Sequence, residues 1–77
     1  MIILKKLAGT FETRAKNQGL KGKARDRAAL EFFCGAAAAL DAAGDKDEAQ
    51  SVTFNAFLIS VRGYEIVTDI LKEKEAA

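Results

Sequence analysis

Residues 28–43, AALEFFCGAAAALDAA, constrain this 77-residue chain more than any other stretch. Eight of the sixteen are alanine, and only Glu31 and Asp41 carry charge. Alanine and leucine are the strongest helix formers, and the chain contains no proline to interrupt them. A surface helix normally keeps a broad polar face. This one keeps a thread, Arg27, Glu31, Ala38 and Asp41. Leu30, Phe33, Ala37 and Leu40 form one apolar seam, with Ala29, Phe32, Ala36, Ala39 and Ala43 forming a second beside it. Two adjacent seams predict two neighbours, which makes this the inner helix of the fold.

The residues just beyond this helix predict its first neighbour. Gly44 ends the helix, and Asp45 with Glu48 three residues on reads as an Asp version of the capping box. So short a connection makes the flanking helices antiparallel neighbours. The register predicted for this hairpin sets Ala37 against Val52 and Phe33 against Ala56, large residues facing small ones. The second arm is predicted to run unbroken from 46 to 74. Val52, Ala56, Ile59, Gly63, Ile66 and Ile70 make one seam of it, and Phe54, Phe57, Leu58, Val61, Tyr64, Val67 and Leu71 a second. Gly63 in mid-helix is unfavourable by about 1 kcal/mol relative to alanine, so close approach by the first helix or by a second chain is expected there.

Residues 2–17 form an amphipathic helix on the spacing of Ile3, Leu4, Leu7, Ala8, Phe11 and Ala15. Gly9-Thr10 leaves open a short strand over MIILKKL. Gly19 and Leu20 read as a stop, with Leu20 folding back onto the helix. The expected architecture is therefore all-α. It is a three-helix arrangement built on the hairpin of 22–43 and 46–74, with an N-terminal helix over 2–17, in one small domain spanning 1–77.

A core this small is only marginally adequate, and such domains usually add disulfides, a metal or self-association. One cysteine, Cys34, rules out an intrachain disulfide, and the absence of histidine rules out the usual zinc sites. No cofactor or metal is expected, and a homo-oligomer, most simply a dimer, is the expected form. The apolar run of MIILKK precedes its lysines, the reverse of a secretory signal, so a cytoplasmic protein without a membrane span is expected.

The net charge of +1 hides an asymmetry. Residues 1–27 carry eight cations against two acids, net +6, and residues 28–77 four against nine, net −5. Lys21, Lys23, Arg25 and Arg27 cluster where the inner helix begins. Either they lie along Glu65, Asp69 and Glu73 and are neutralised internally, or they form a face for nucleic acid or a small anionic ligand. No aromatic residue is interleaved among them for base stacking. Phe54, Phe57, Arg62 and Tyr64 are the candidate anchors of a protein interface, Arg and Tyr being favoured in such roles. The alternative for the last two is a buried Tyr64 with Arg62 paired to Asp26. Cys34 reads as a small packing residue. With no histidine and no glycine-rich phosphate loop, catalysis is not expected.

The block KARDRAALEFFCGAAAALDAAG and the later LISVRGYEIV resemble short open reading frames of bacteriophages and prophages, over residues 23–67. That resemblance implies an accessory protein that binds and inhibits, or redirects, a host protein. It defines no catalytic residues.

Overall fold

The computed structural model describes residues 2–73, and these form four helices with no strand among them: α1 (Ile2–Gln18), α2 (Gly22–Ala42), α3 (Lys46–Arg62) and α4 (Glu65–Lys72). The segment over 2–7 is helical, so the strand alternative falls. Gly9 sits inside α1 with its Cβ position open to solvent, and the heptad-like burial of Leu4, Ala8, Phe11 and Ala15 holds the helix together around it. The Leu20 amide then bonds the Ala15 carbonyl at 2.9 Å and the Gly19 amide that of Lys16 at 3.2 Å. These are the paired bonds of a Schellman stop, with Leu20 packed onto the core.

The stop after α2 has the same chemistry. Gly44 takes φ +88, and the Asp45 and Gly44 amides bond the Leu40 and Asp41 carbonyls at 3.0 Å each. Asp45 begins α3, yet its side chain makes no cap hydrogen bond, so the expected capping box is absent. The Asp45 carboxylate turns instead toward Glu48. Partial burial, and then the charge of Asp45 and a hydrogen bond with it, hold the Glu48 carboxyl above its ordinary range.

The predicted arm over 46–74 is two helices. Gly63 leaves the helical region at φ +72 and ψ −152, a conformation that L-residues with a side chain do not adopt, and the chain restarts as α4. An unbroken helix over 46–72 would measure about 40 Å at 1.5 Å per residue. The molecule is only 33 × 30 × 23 Å. Folding at Gly63 returns Ile66, Val67 and Ile70 to the core beside α1 and α3. α4 ends at Lys72 with Glu73 in extended conformation after it, and the predicted end at 74 lies outside the described residues.

The core gathers Leu4, Ala8, Phe11 and Ala15 of α1, Ala29, Phe33 and Ala37 of α2, Val52, Ala56 and Ile59 of α3, and Ile66, Val67 and Ile70 of α4. No polar or charged residue among those described is buried. α2 is not enclosed as its two seams predict. Its first seam is buried at Phe33 and Ala37 and half-buried at Leu30 and Leu40, but the second runs from buried Ala29, through half-buried Phe32 and Ala36, to exposed Ala39 and Ala43. Phe11 and Arg14 of α1 meet α2 at Phe32, while Ala38, Ala39 and Ala42 beyond it are exposed.

Candidate interaction surfaces

The eight residues singled out from the sequence fall into three environments. Tyr64 and Arg25 are spent on the fold. Phe11 stands at the centre of an aromatic chain, with ring centroids 5.7 Å from Phe32 and 5.9 Å from Tyr64. The Arg25 guanidinium lies 4.0 Å above the Tyr64 ring, and Arg14 lies 5.5 Å above Phe32. Tilted aromatic pairs and cations over ring faces each contribute about 0.5–1.5 kcal/mol beyond area burial. The chain Arg14–Phe32–Phe11–Tyr64–Arg25 thus ties α1, α2 and α4 together. The Tyr64 hydroxyl points at Glu12, 3.5 Å away. Partial burial and then the Glu12 charge push its pKa upward, and Arg25 opposes them.

Arg62 does not pair with Asp26. Its guanidinium donates to Glu65 at 2.9 Å and Asp69 at 3.1 Å, bracing the start of α4. The hydrogen bond and charge of Glu65 raise the Arg62 pKa, and the same contact lowers that of Glu65. Asp26 has a different task. Its Oδ1 accepts the Tyr64 backbone N–H at 2.9 Å, and its carboxyl lies 2.8 Å from where a Cβ on Gly63 would stand. Asp26 of α2 therefore caps α4, and it is the close neighbour that Gly63 admits, in place of the first helix or a second chain.

Of the two alternatives for the basic cluster, the internal one has no ion pair among the described residues. Arg62 occupies Glu65 and Asp69, and no carboxylate among the described residues lies within 4.0 Å of a cationic nitrogen of Lys21, Lys23, Arg25 or Arg27. Lys21, Lys23 and Arg27 are exposed. α2 begins at Lys21 with no side-chain cap and no acid in its first turn.

Phe54 and Phe57 lie on the outer face of α3 with Val61, three and four residues apart, and are 61%, 62% and 69% exposed. Alongside runs an open groove of about 500 Å³ between α2 and α3, lined by Cys34, Ala38 and Thr53, with Ala37, Ala49 and Ala56 at its base. The Lys46 ammonium and the Asp41 carboxylate close one end, 2.7 Å apart. Cys34 is exposed on the groove wall, not packed inside. The groove was missed in the sequence because an alanine seam looks the same whether a neighbour covers it or not. The sequence spacing places Val61 on the seam that continues to Tyr64, Val67 and Leu71. The break at Gly63 leaves Phe54, Phe57 and Val61 outside while it carries Val67 in.

Fold and surface together define a small helical domain with an uncovered apolar face. Compared with known proteins, the chain matches no family model, no curated relative and no solved structure. Among the described residues no helix is long and apolar enough to cross a membrane, and no three His, Cys, Asp or Glu side chains converge as a metal site.

Proposed function

We propose that this chain is a non-enzymatic protein-interaction module whose contact surface is the outer face of α3. The observation that carries the reading is the stripe of Phe54, Phe57 and Val61, each more than 60% exposed, beside the α2–α3 groove. Single exposed apolar residues are ordinary, but an aromatic stripe beside a groove of small side chains is the anatomy of an interface core. In this reading α2 and α3 form an antiparallel hairpin, since three connecting residues leave helices that pack together no other course. The absence of histidine supports stoichiometric binding over catalysis. The resemblance of residues 23–67 to phage accessory proteins favours a host protein as partner, held as an inhibitor or redirecting factor.

The test is capture from a host lysate with wild-type chain and with the double variant Phe54→Ser/Phe57→Ser. A partner retained by wild type and lost by the variant supports the reading, and equal capture by both removes it.

A second reading has its own observation. Lys21, Lys23 and Arg27 stand exposed at an uncapped helix start with no paired carboxylate among the described residues. In that reading they meet phosphate groups of nucleic acid or of a small anionic ligand, with an affinity that falls steeply as salt rises. A gel shift across a salt series decides it, and no complex at low salt sinks it.

A further inference from the structure

We infer that Gly63 is a hinge, and that the chain has a second form in which α3 and α4 straighten into one helix and two copies exchange α4 as a domain-swapped dimer. This device is independent of the outer face of α3 and leaves that face free for a partner.

A single residue separates the two forms. α3 is helical to Arg62, and Tyr64 beyond the hinge already holds φ −61 and ψ −17. Gly63, at φ +72 and ψ −152, is the residue between them that leaves the helical region. Glycine enters both regions at little cost, so rotation about this one residue turns the kink into helix. The apolar seam runs through the hinge in register. Val52, Ala56 and Ile59 before it and Ile66 and Ile70 after it keep alternating three- and four-residue spacings. The Tyr64 N–H donates to Asp26 at 2.9 Å in the closed form, and the straight helix offers it the Ser60 carbonyl instead. Asp26 is therefore a latch of the closed form, and the straight helix does not need it.

Straightening leaves α4 without cover. Ile66, Val67 and Ile70, buried in the closed form, are carried past the end of α3, with Ile70 about 10 Å beyond Gly63 along the axis. They vacate a site beside α1 and α3. That site is shaped for α4, and a second copy holds an identical one. Reciprocal exchange fills both sites with the same side chains, so the buried contacts of the monomer are kept and the assembly closes at two. What the dimer gives up is the freedom of separate copies, so the closed monomer prevails at low concentration. Gly63 and Tyr64 are the whole connection between α3 and α4, and a hinge this short invites exchange.

Size-exclusion chromatography with light scattering tests it, on the full chain refolded from urea at ~10 μM and at ~1 mM. Wild type should have a mass of 8.3 kDa at the lower concentration and show a fraction at twice that mass at the higher. Gly63→Ala disfavours the kink and favours the continuous helix, while Asp26→Ala removes the latch. Each should bring the dimer in at a concentration about tenfold lower or less, with helical circular dichroism retained. Ile59→Val, which trims the core of both forms alike, should leave the ratio unchanged. So should Phe54→Ser/Phe57→Ser added to Gly63→Ala, because the exchange does not use the outer face of α3. In dimers formed from separately labelled copies, isotope-filtered NMR should place α1 of one copy against α4 of the other. Wild type without a dimer fraction at the higher concentration, or Gly63→Ala that stays monomeric or unfolded there, overturns the hinge. A dimer without those cross-copy contacts, or one lost with Phe54 and Phe57, overturns the exchange.

Discussion

At the scale of single residues, the most consequential is Gly63. Its φ of +72 with ψ −152 belongs to a region open essentially to glycine, and a Cβ there would meet the Asp26 carboxyl at 2.8 Å. Both terms oppose a side chain, so Gly63→Ala should lower unfolding stability by about 2–3 kcal/mol in a urea titration. Gly35 is the internal control. It lies within α2 with no atom within 4 Å of a built Cβ, so Gly35→Ala should raise stability by about 0.5–1 kcal/mol. Asp26 completes the pair at the kink. Asp26→Ala strands the Tyr64 N–H and should cost about 1–2 kcal/mol, in the range of a lost helix cap. Gly63 was visible in the sequence as an anomaly inside an apolar run. Its meaning was not, because a mid-helix glycine that admits a neighbour and a glycine that ends a helix look identical until the backbone angle is known.

At the scale of elements, α4 is short and depends on its fastenings. Eight residues are too few to be stable alone in water, so burial of Ile66, Val67 and Ile70 and the contacts at its start must hold it. Arg62 supplies one such contact through Glu65 and Asp69, and this gives α4 an acid dependence. The Glu65 pKa is lowered in the folded protein. Its contribution is present above the unfolded carboxylate pKa and disappears as pH falls through the folded value. Arg62→Gln should flatten that loss, seen as a shallower fall of Tm between neutral and strongly acidic pH. The effect is small because the pair is exposed to solvent. A Tm profile with the same slope in wild type and variant would show that the brace contributes nothing. Glu48 acts with the opposite sign, since its folded pKa is raised and its contribution fades as pH rises through it.

At the scale of the whole molecule, two surfaces are left over once the core is formed. The apolar stripe of α3 has no task within the monomer, so Phe54→Ser/Phe57→Ser should change monomer stability by no more than about 0.5 kcal/mol. Phe33→Ala, which empties a fully buried site on the neighbouring helix, should cost about 3–5 kcal/mol by the same denaturation measurement. A stripe variant as destabilised as Phe33→Ala would place Phe54 and Phe57 in the core and contradict their exposure. The charge asymmetry also survives folding, since Lys21, Lys23 and Arg27 form no ion pair with a carboxylate among the described residues. Nothing local could have revealed this. Whether Glu65 and Asp69 meet the basic cluster depends on where α4 points after Gly63, and Arg62, three residues before Glu65 and seven before Asp69, reaches them first.

The amino-acid sequence by itself determined helicity over most of the described chain, leaving residues 2–7 open between helix and strand, together with the stops at Gly19 and Gly44 and most of the core. Those are consequences of side-chain periodicity, propensity and local backbone chemistry, which neighbouring residues specify on their own. Tertiary structure decided the rest: the fold-back at Gly63, Asp26 as the cap of α4, and the half-covered state of the alanine-rich helix. A helix of the predicted length would have overshot a 33 Å molecule and left Ile66, Val67 and Ile70 in water. Breaking it buries them against α1 and α3, and the same turn leaves Phe54, Phe57 and the small-residue groove facing outward.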